Sequence, residues 1–139
     1  MNMISELIQL SFDKIMQTRS YTVVILAGDD KRFAIYTDPS VGRILQMYLT
    51  DTERPRPLTH DLMANIFDGF DIRVKQVVIN DVQDTIYYAR IFLEQDKDGI
   101  RNIIELDARP SDCITIALMH NAPVYCTREV LDQTIPVEE

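Results

Sequence analysis

Three observations predict an α+β fold for this 139-residue chain. β-branched, strand-like runs outnumber helical ones. Hairpin turns such as Asp98-Gly99 mix with strand-to-helix turns such as Asp38-Pro39 and Arg109-Pro110. Apolar residues make up 46% and charged residues 26%, which suits one packed hydrophobic core rather than a disordered chain. The expectation is a compact single domain over residues 1–139, a mixed β-sheet with hairpins and three to four helices.

Residues 4–16 fit two patterns. Ile4, Leu7, Ile8, Phe12, Ile15 and Met16 suit a helical face, while Ile8, Leu10 and Phe12 suit strand alternation. Residues 21–27 and 33–36 read as antiparallel strands joined at Gly28-Asp29-Asp30. Asp38 then caps a helix that begins at Pro39, with Val41, Ile44, Leu45 and Tyr48 on its inner face. Thr59 is the next expected cap, and Leu62, Met63, Ile66, Phe67 and Phe70 follow at helical spacing, with Gly69 near the expected stop. Residues 72–79 and 85–94 are expected strands with their turn at Asn80-Asp81. Asp98-Gly99 turns into a strand at 100–106. Residues 110–119 are apolar on most sides, hence a buried helix. A short strand at 122–126 and a helix capped by Thr127, ending before Pro136, complete the chain. The stretches 35–44 and 106–114 share a strand, Pro-Ser, helix pattern.

Fourteen Lys and Arg against 22 Asp and Glu give a net charge of −8. Long-range repulsion of phosphate follows, so any nucleic-acid activity must draw on local cations such as Arg54 with Arg56 or Arg73 with Lys75, or on a bound divalent cation. No apolar run approaches the roughly 20 residues of a membrane span, and Met1–Glu6 lacks the basic start of a secretory signal. The expected setting is cytoplasmic, without a membrane partner. Cys113 and Cys126 lack metal-ligand spacing and read as reduced, buried thiols.

Two segments hold polar residues that packing does not demand. In residues 55–62, Arg56 offers a planar guanidinium between two prolines, and His60 and Asp61 fall in a first helical turn, where an anion is favoured. The bland alternative makes Thr59 a cap, Asp61 a dipole partner and His60 a solvated surface residue. In residues 106–114, Asp107 ends a strand, Arg109 lies in the turn, and Ser111 and Asp112 open a helix. Asp107 and Asp112 could share magnesium or manganese and activate water. In the bland alternative Ser111 caps, Asp112 complements the dipole, and Asp107 pairs with Arg109.

Arg-Pro-Leu-Thr-His-Asp-Leu at 56–62, Tyr-Ala-Arg-Ile at 88–91, Asp-Ala-Arg-Pro-Ser-Asp at 107–112 and Asn-Ala-Pro-Val-Tyr at 121–125, in that order and spacing, resemble the bifunctional nuclease domain family. The resemblance implies DNase and RNase activity, a compact α+β domain that self-associates as a dimer or higher homo-oligomer, and a strand at 6–16. It places the family's polar signature on Arg56, Thr59, His60, Asp61, Asp107, Arg109, Ser111 and Asp112. The reading it supports is a metal-dependent nuclease of low sequence specificity acting on DNA or RNA. Asp107 and Asp112 would hold magnesium or manganese, His60 would serve as general base or third ligand beside Asp61, and Arg56 and Arg109, with Thr59 and Ser111, would hold the phosphate. One departure stands out: a Glu expected near residues 40–42 is missing from Asp38-Pro-Ser-Val-Gly42. The rival reading is therefore a non-catalytic scaffold or regulatory module of the same fold.

Overall fold

The computed structural model describes residues 6–137. Its elements run β1 (Leu7–Gln17), β2 (Thr22–Gly28), β3 (Lys31–Thr37), α1 (Pro39–Leu49), α2 (Thr59–Gly69), β4 (Ile72–Gln83), β5 (Ile86–Lys97), β6 (Ile100–Ala108), α3 (Pro110–His120), β7 (Val124–Thr127) and α4 (Arg128–Gln133). The seven strands form one mixed sheet in the order β3-β2-β1-β7-β4-β5-β6. This is the α+β architecture expected, and the ambiguous N-terminal segment is a strand as far as it is described. Ile4, from the helical alternative, lies outside the described residues.

β1 joins the two halves of the sheet. Its first part, Leu7 to Leu10, pairs antiparallel with β7, and its second part, Ser11 to Gln17, pairs antiparallel with β2 across an irregularity between Phe12 and Lys14. β7 lies parallel to β4, with Val77 opposite Val124. On either side stands a three-stranded antiparallel meander, β1-β2-β3 and β4-β5-β6, each leading into a helix whose first residue is Pro. The shared Pro-Ser pattern at 39–40 and 110–111 thus marks equivalent places in two similar halves.

Residues 18–21 join β1 to β2, while the other three hairpins are two-residue turns with both central residues at positive φ, the geometry that matches strand twist. Asp29-Asp30 has φ of 50° and 61°, Asp84-Thr85 has 51° and 69°, and Asp98-Gly99 has 52° and 76°. The β4–β5 turn is therefore at Asp84-Thr85 rather than at Asn80-Asp81. Asn80 sits where the register shifts between Ile79 and Asp81, inside the ladder. A bulge absorbs these polar residues without ending the strand.

α3 is the centre of the core. Cys113, Ile114, Ile116 and Ala117 are buried and join Leu45 of α1, Phe67 of α2 and the strand residues Val24, Leu26, Val77, Ile79 and Ile91 in one cluster. Full burial of such side chains contributes roughly 1.5–3 kcal/mol each. Gly42 lets α1 approach β2, since a Cβ there would lie 2.0 Å from Thr22 Oγ1. Helix starts differ in part from expectation. Thr127 does cap α4, accepting from the Val130 N–H at 3.1 Å. Asp38 precedes α1 without a side-chain cap bond. Thr59 is not a cap but the first residue of α2, and the orphan Leu58 N–H is satisfied by Asp61 Oδ2 at 2.8 Å. Nor do all five apolar residues at this helical spacing face inward: Phe67 is buried and Met63 half-buried, whereas Leu62, Ile66 and, just past the helix, Phe70 are exposed. Among the described residues, no helix is long and apolar enough to cross a membrane.

Candidate functional site

The N-termini of α2 and α3 open onto one cleft of about 650 Å³, whose third wall is the start of α1. Val41, Ile44, Met63, Phe67, Leu93 and Ile116 make its depth apolar, and Asp38, Thr59, His60, Asp107, Arg109 and Asp112 lie around it. No carboxylate stands at residues 40–42, so Ser40 and Val41 form the wall where the family's Glu was expected.

Folding brings together residues 52 positions apart. His60 Nε2 lies 3.1 Å from Asp112 Oδ1, and Arg109 Nε donates to Asp112 Oδ2 at 2.9 Å. An ionised carboxylate only accepts, so the His60 proton resides on Nε2. His60 is not the solvated surface residue of the bland alternative, since its side chain is 10% exposed, against 31% for Asp112 and 64% for Arg109. The triad thus grades from buried to open. His60 Nδ1 is buried with no hydrogen-bond partner among the described residues. The Tyr48 ring stands edge-on to His60 at 6.3 Å, and burial, then the neighbouring Asp61 carboxylate, push the Tyr48 phenol up to about 12.

Behind His60 lies a second charged group. Arg54 donates Nε to Asp61 Oδ2 at 2.8 Å and a terminal nitrogen to Oδ1 at 2.6 Å, and its guanidinium stacks 4.4 Å above the Tyr48 ring. These bonds, with that from the Leu58 N–H, hold the Asp61 carboxyl at about 2, opposed only by its desolvation. Asp61 is therefore a fixed anchor turned toward a separate hollow with Asp51 and Asn65, and not a wall of the cleft. Tyr48 and Arg54 are the residues sequence reading missed in this role. Their signal, an aromatic and a cation flanking the Arg-Pro segment, has no fixed spacing to His60.

The remaining expected site residues part company. Asp107 borders the cleft but lies in register with Arg90 across β5–β6, where their charged groups are 4.0 Å apart, and its side chain is 72% exposed. Asp107 therefore pairs with Arg90, not with Arg109 as in the bland alternative. Ser111 is buried and faces a hollow with Ile35 and Tyr87 rather than the cleft. Arg56 is exposed and lines neither hollow nor cleft. Among the described residues no group of three His, Cys, Asp or Glu is arranged to hold a metal ion. Both Asp112 oxygens already accept hydrogen bonds, and a magnesium or manganese ion takes several oxygen ligands. The residues present do not fit a resident divalent cation shared by Asp107 and Asp112.

Both thiols are buried, and burial pushes Cys113 up to about 12 and Cys126 to about 11.

A small α+β domain with a His–Asp–Arg cluster at the mouth of an apolar cleft is thus the class that fold and site define. The model of the bifunctional nuclease domain matches residues 23–138, and the chain belongs to that family. It is 30% identical over 122 residues to an uncharacterised protein of Mycobacterium tuberculosis, covering 86% of this chain and 70% of that one. It is 25% identical over 103 residues to bifunctional nuclease 1 of Oryza sativa subsp. indica, covering 74% of this chain but 31% of the rice protein.

Proposed function

We propose that this protein is a phosphodiester nuclease of low sequence specificity acting on DNA or RNA, with its chemistry at Asp112. The observation that carries this reading is the carboxylate held at the start of α3 between a buried imidazole and an exposed guanidinium. Asp112, open to solvent on one side, takes a proton from the water that attacks phosphorus; the P–O bond to one sugar oxygen breaks, and that oxygen leaves with a proton from solvent. Arg109 spends one N–H on Asp112 and turns its remaining donors to the phosphate oxygens, on which negative charge grows in the transition state. His60 acts through Asp112: its Nε2 proton fixes the carboxylate, and Tyr48, with the Arg54–Asp61 pair behind it, fixes the ring. Thr59 lies on the approach beside the cleft, and Arg56 attracts the phosphate backbone from outside it. No step is assigned to a metal ion, because the donor set does not form a site for one.

The test is incubation of the pure protein with single- and double-stranded DNA and RNA, in chelator, magnesium or manganese. Asp112→Asn should lower the cleavage rate by roughly 10²–10⁴-fold with little change in binding, the range for loss of a general base. Asp107→Asn should cost less than tenfold. If the two variants were equally dead and cleavage required manganese or magnesium, Asp107 would return to the site as a metal ligand. The scaffold reading is favoured by one feature, the cleft wall itself, where Asp38, Asp107 and Asp112 outnumber the single Arg109. Absence of cleavage and of salt-dependent binding under all these conditions would make it the better account.

A further inference from the structure

The two outer strands of the sheet are not alike. The free edge of β3 is partly taken by the chain's own C-terminal segment, where the Val137 N–H donates to the Arg32 carbonyl at 2.8 Å. Among the described residues, β6 has no such cover. It pairs with β5 in unbroken register from Ala89 opposite Ala108 to Lys97 opposite Ile100, and β5 is the one element it packs against extensively. Every residue from Ile100 to Asp107 is exposed. Proteins usually blunt such an edge with a proline, a bulge or a short strand. β6 has nine residues with no proline or bulge, its charges Arg101, Glu105 and Asp107 are of both signs, and it exposes Ile100, Ile103, Ile104 and Leu106.

The cross-strand register assigns the faces. Ile104 and Leu106 stand opposite Leu93 and Ile91, which are buried toward the helices, so Ile100, Asn102, Ile104 and Leu106 share the helix face. Arg101, Ile103, Glu105 and Asp107 lie on the other face, where Glu105 bonds Arg90 at 3.0 Å and Arg101 bonds Glu94. If β6 met a second copy of itself antiparallel, with the helix faces on one side, some residue would have to stand opposite itself. Centring on Ile103 sets each Arg101 against a Glu105 and Ile103 against Ile103. On the helix face the same register sets Ile100 against Leu106 and Asn102 against Ile104. Moving the centre to Ile104 would leave Glu105 facing Ile103, and moving it to Asn102 would leave Arg101 facing Ile103. Only one register matches both charge and hydropathy along the strand.

We propose that two copies of this chain join through antiparallel β6–β6 pairing centred on Ile103, making one continuous sheet of their two seven-stranded halves. Leu106 lines the cleft, so Ile100 of the second copy extends that wall, and each subunit contributes to the border of the other's site. The proposal does not depend on cleavage.

Light scattering should give twice 16.1 kDa for the wild type. Glu105→Arg sets like charges against each other at both ends of the interface and should weaken the dimer by about tenfold or more. Ile103→Cys should form an intermolecular disulfide on mild oxidation, because directly opposed Cβ atoms lie at about the right separation. Glu105→Cys, which would stand opposite Arg101, should not. The native thiols Cys113 and Cys126 are buried and give no background. A 16.1 kDa wild type overturns self-association altogether. A dimer with no Ile103→Cys cross-link overturns this interface.

Discussion

Replacing Asp61 with Asn tests whether this carboxylate is an anchor rather than a participant in chemistry. Arg54, the Leu58 N–H and Tyr48 hold its carboxyl at about 2 against an ordinary 3.8. At about 1.36 kcal/mol per pH unit, that shift corresponds to about 2 kcal/mol at most. The pair is partly open to water, with side chains 21% and 16% exposed, and screening leaves about 1 kcal/mol. The sign follows from the lowered value. The stabilisation is fully present above 3.8 and is lost as pH falls from there toward 2. Asn keeps an acceptor for the Leu58 N–H, so the substitution removes mainly the charge. Urea unfolding at pH 7 should show a midpoint lowered by roughly half a molar, given a slope of about 1–3 kcal/mol per molar. The gap should shrink steeply as pH falls toward 2, where wild-type Asp61 is about half protonated, and close below it. An unchanged midpoint at pH 7, or an equal loss at both pH values, would refute the assignment of Asp61 as an ionic anchor.

Gly42→Ala should destabilise by about 1–3 kcal/mol by calorimetry, because the new Cβ would meet Thr22 Oγ1 at 2.0 Å between α1 and β2. Thr85→Gly should stabilise by up to about 1 kcal/mol in chemical denaturation, since a β-branched residue at φ 69° gives way to the residue that turn favours. Cys113 and Cys126, raised to about 12 and about 11, should stay unmodified by a thiol reagent at neutral pH and react at once in denaturant. Reaction of the folded protein at the rate of an exposed thiol would show that the core around α3 and β7 opens readily.

Local rules were enough to read most of the fold. Alternation and β-branching gave away β2, β3, β5 and β6, Asp98-Gly99 marked its hairpin, and Thr127 announced α4. They failed where a competing local solution was available. Asn80-Asp81 looks like a turn, yet a bulge lets the ladder continue to Asp84-Thr85. Thr59 looks like a cap, yet the Asp61 side chain reaches back to the Leu58 N–H and makes a Thr cap unnecessary. The outward stripe of Leu62, Ile66 and Phe70 obeys the same helical period as the buried Phe67, so periodicity alone could not tell which residues would be covered.

The site divides along the same line. Sequence order and residue type marked His60, Arg109 and Asp112 as polar groups at helix starts, and the family pattern followed from short contiguous motifs. Which of them would meet was a matter of three dimensions. The His60–Asp112 bond spans 52 residues, and it exists because α3 runs through the core beside α2. Asp107 and Asp112, five residues apart, end with different partners because a strand alternates its side chains across the sheet and a helix does not. The strand sets Asp107 beside Arg90, while the helix turns Asp112 to His60 and Arg109. Short-range chemistry therefore determined which residues could serve, and the packing of distant elements decided which of them do.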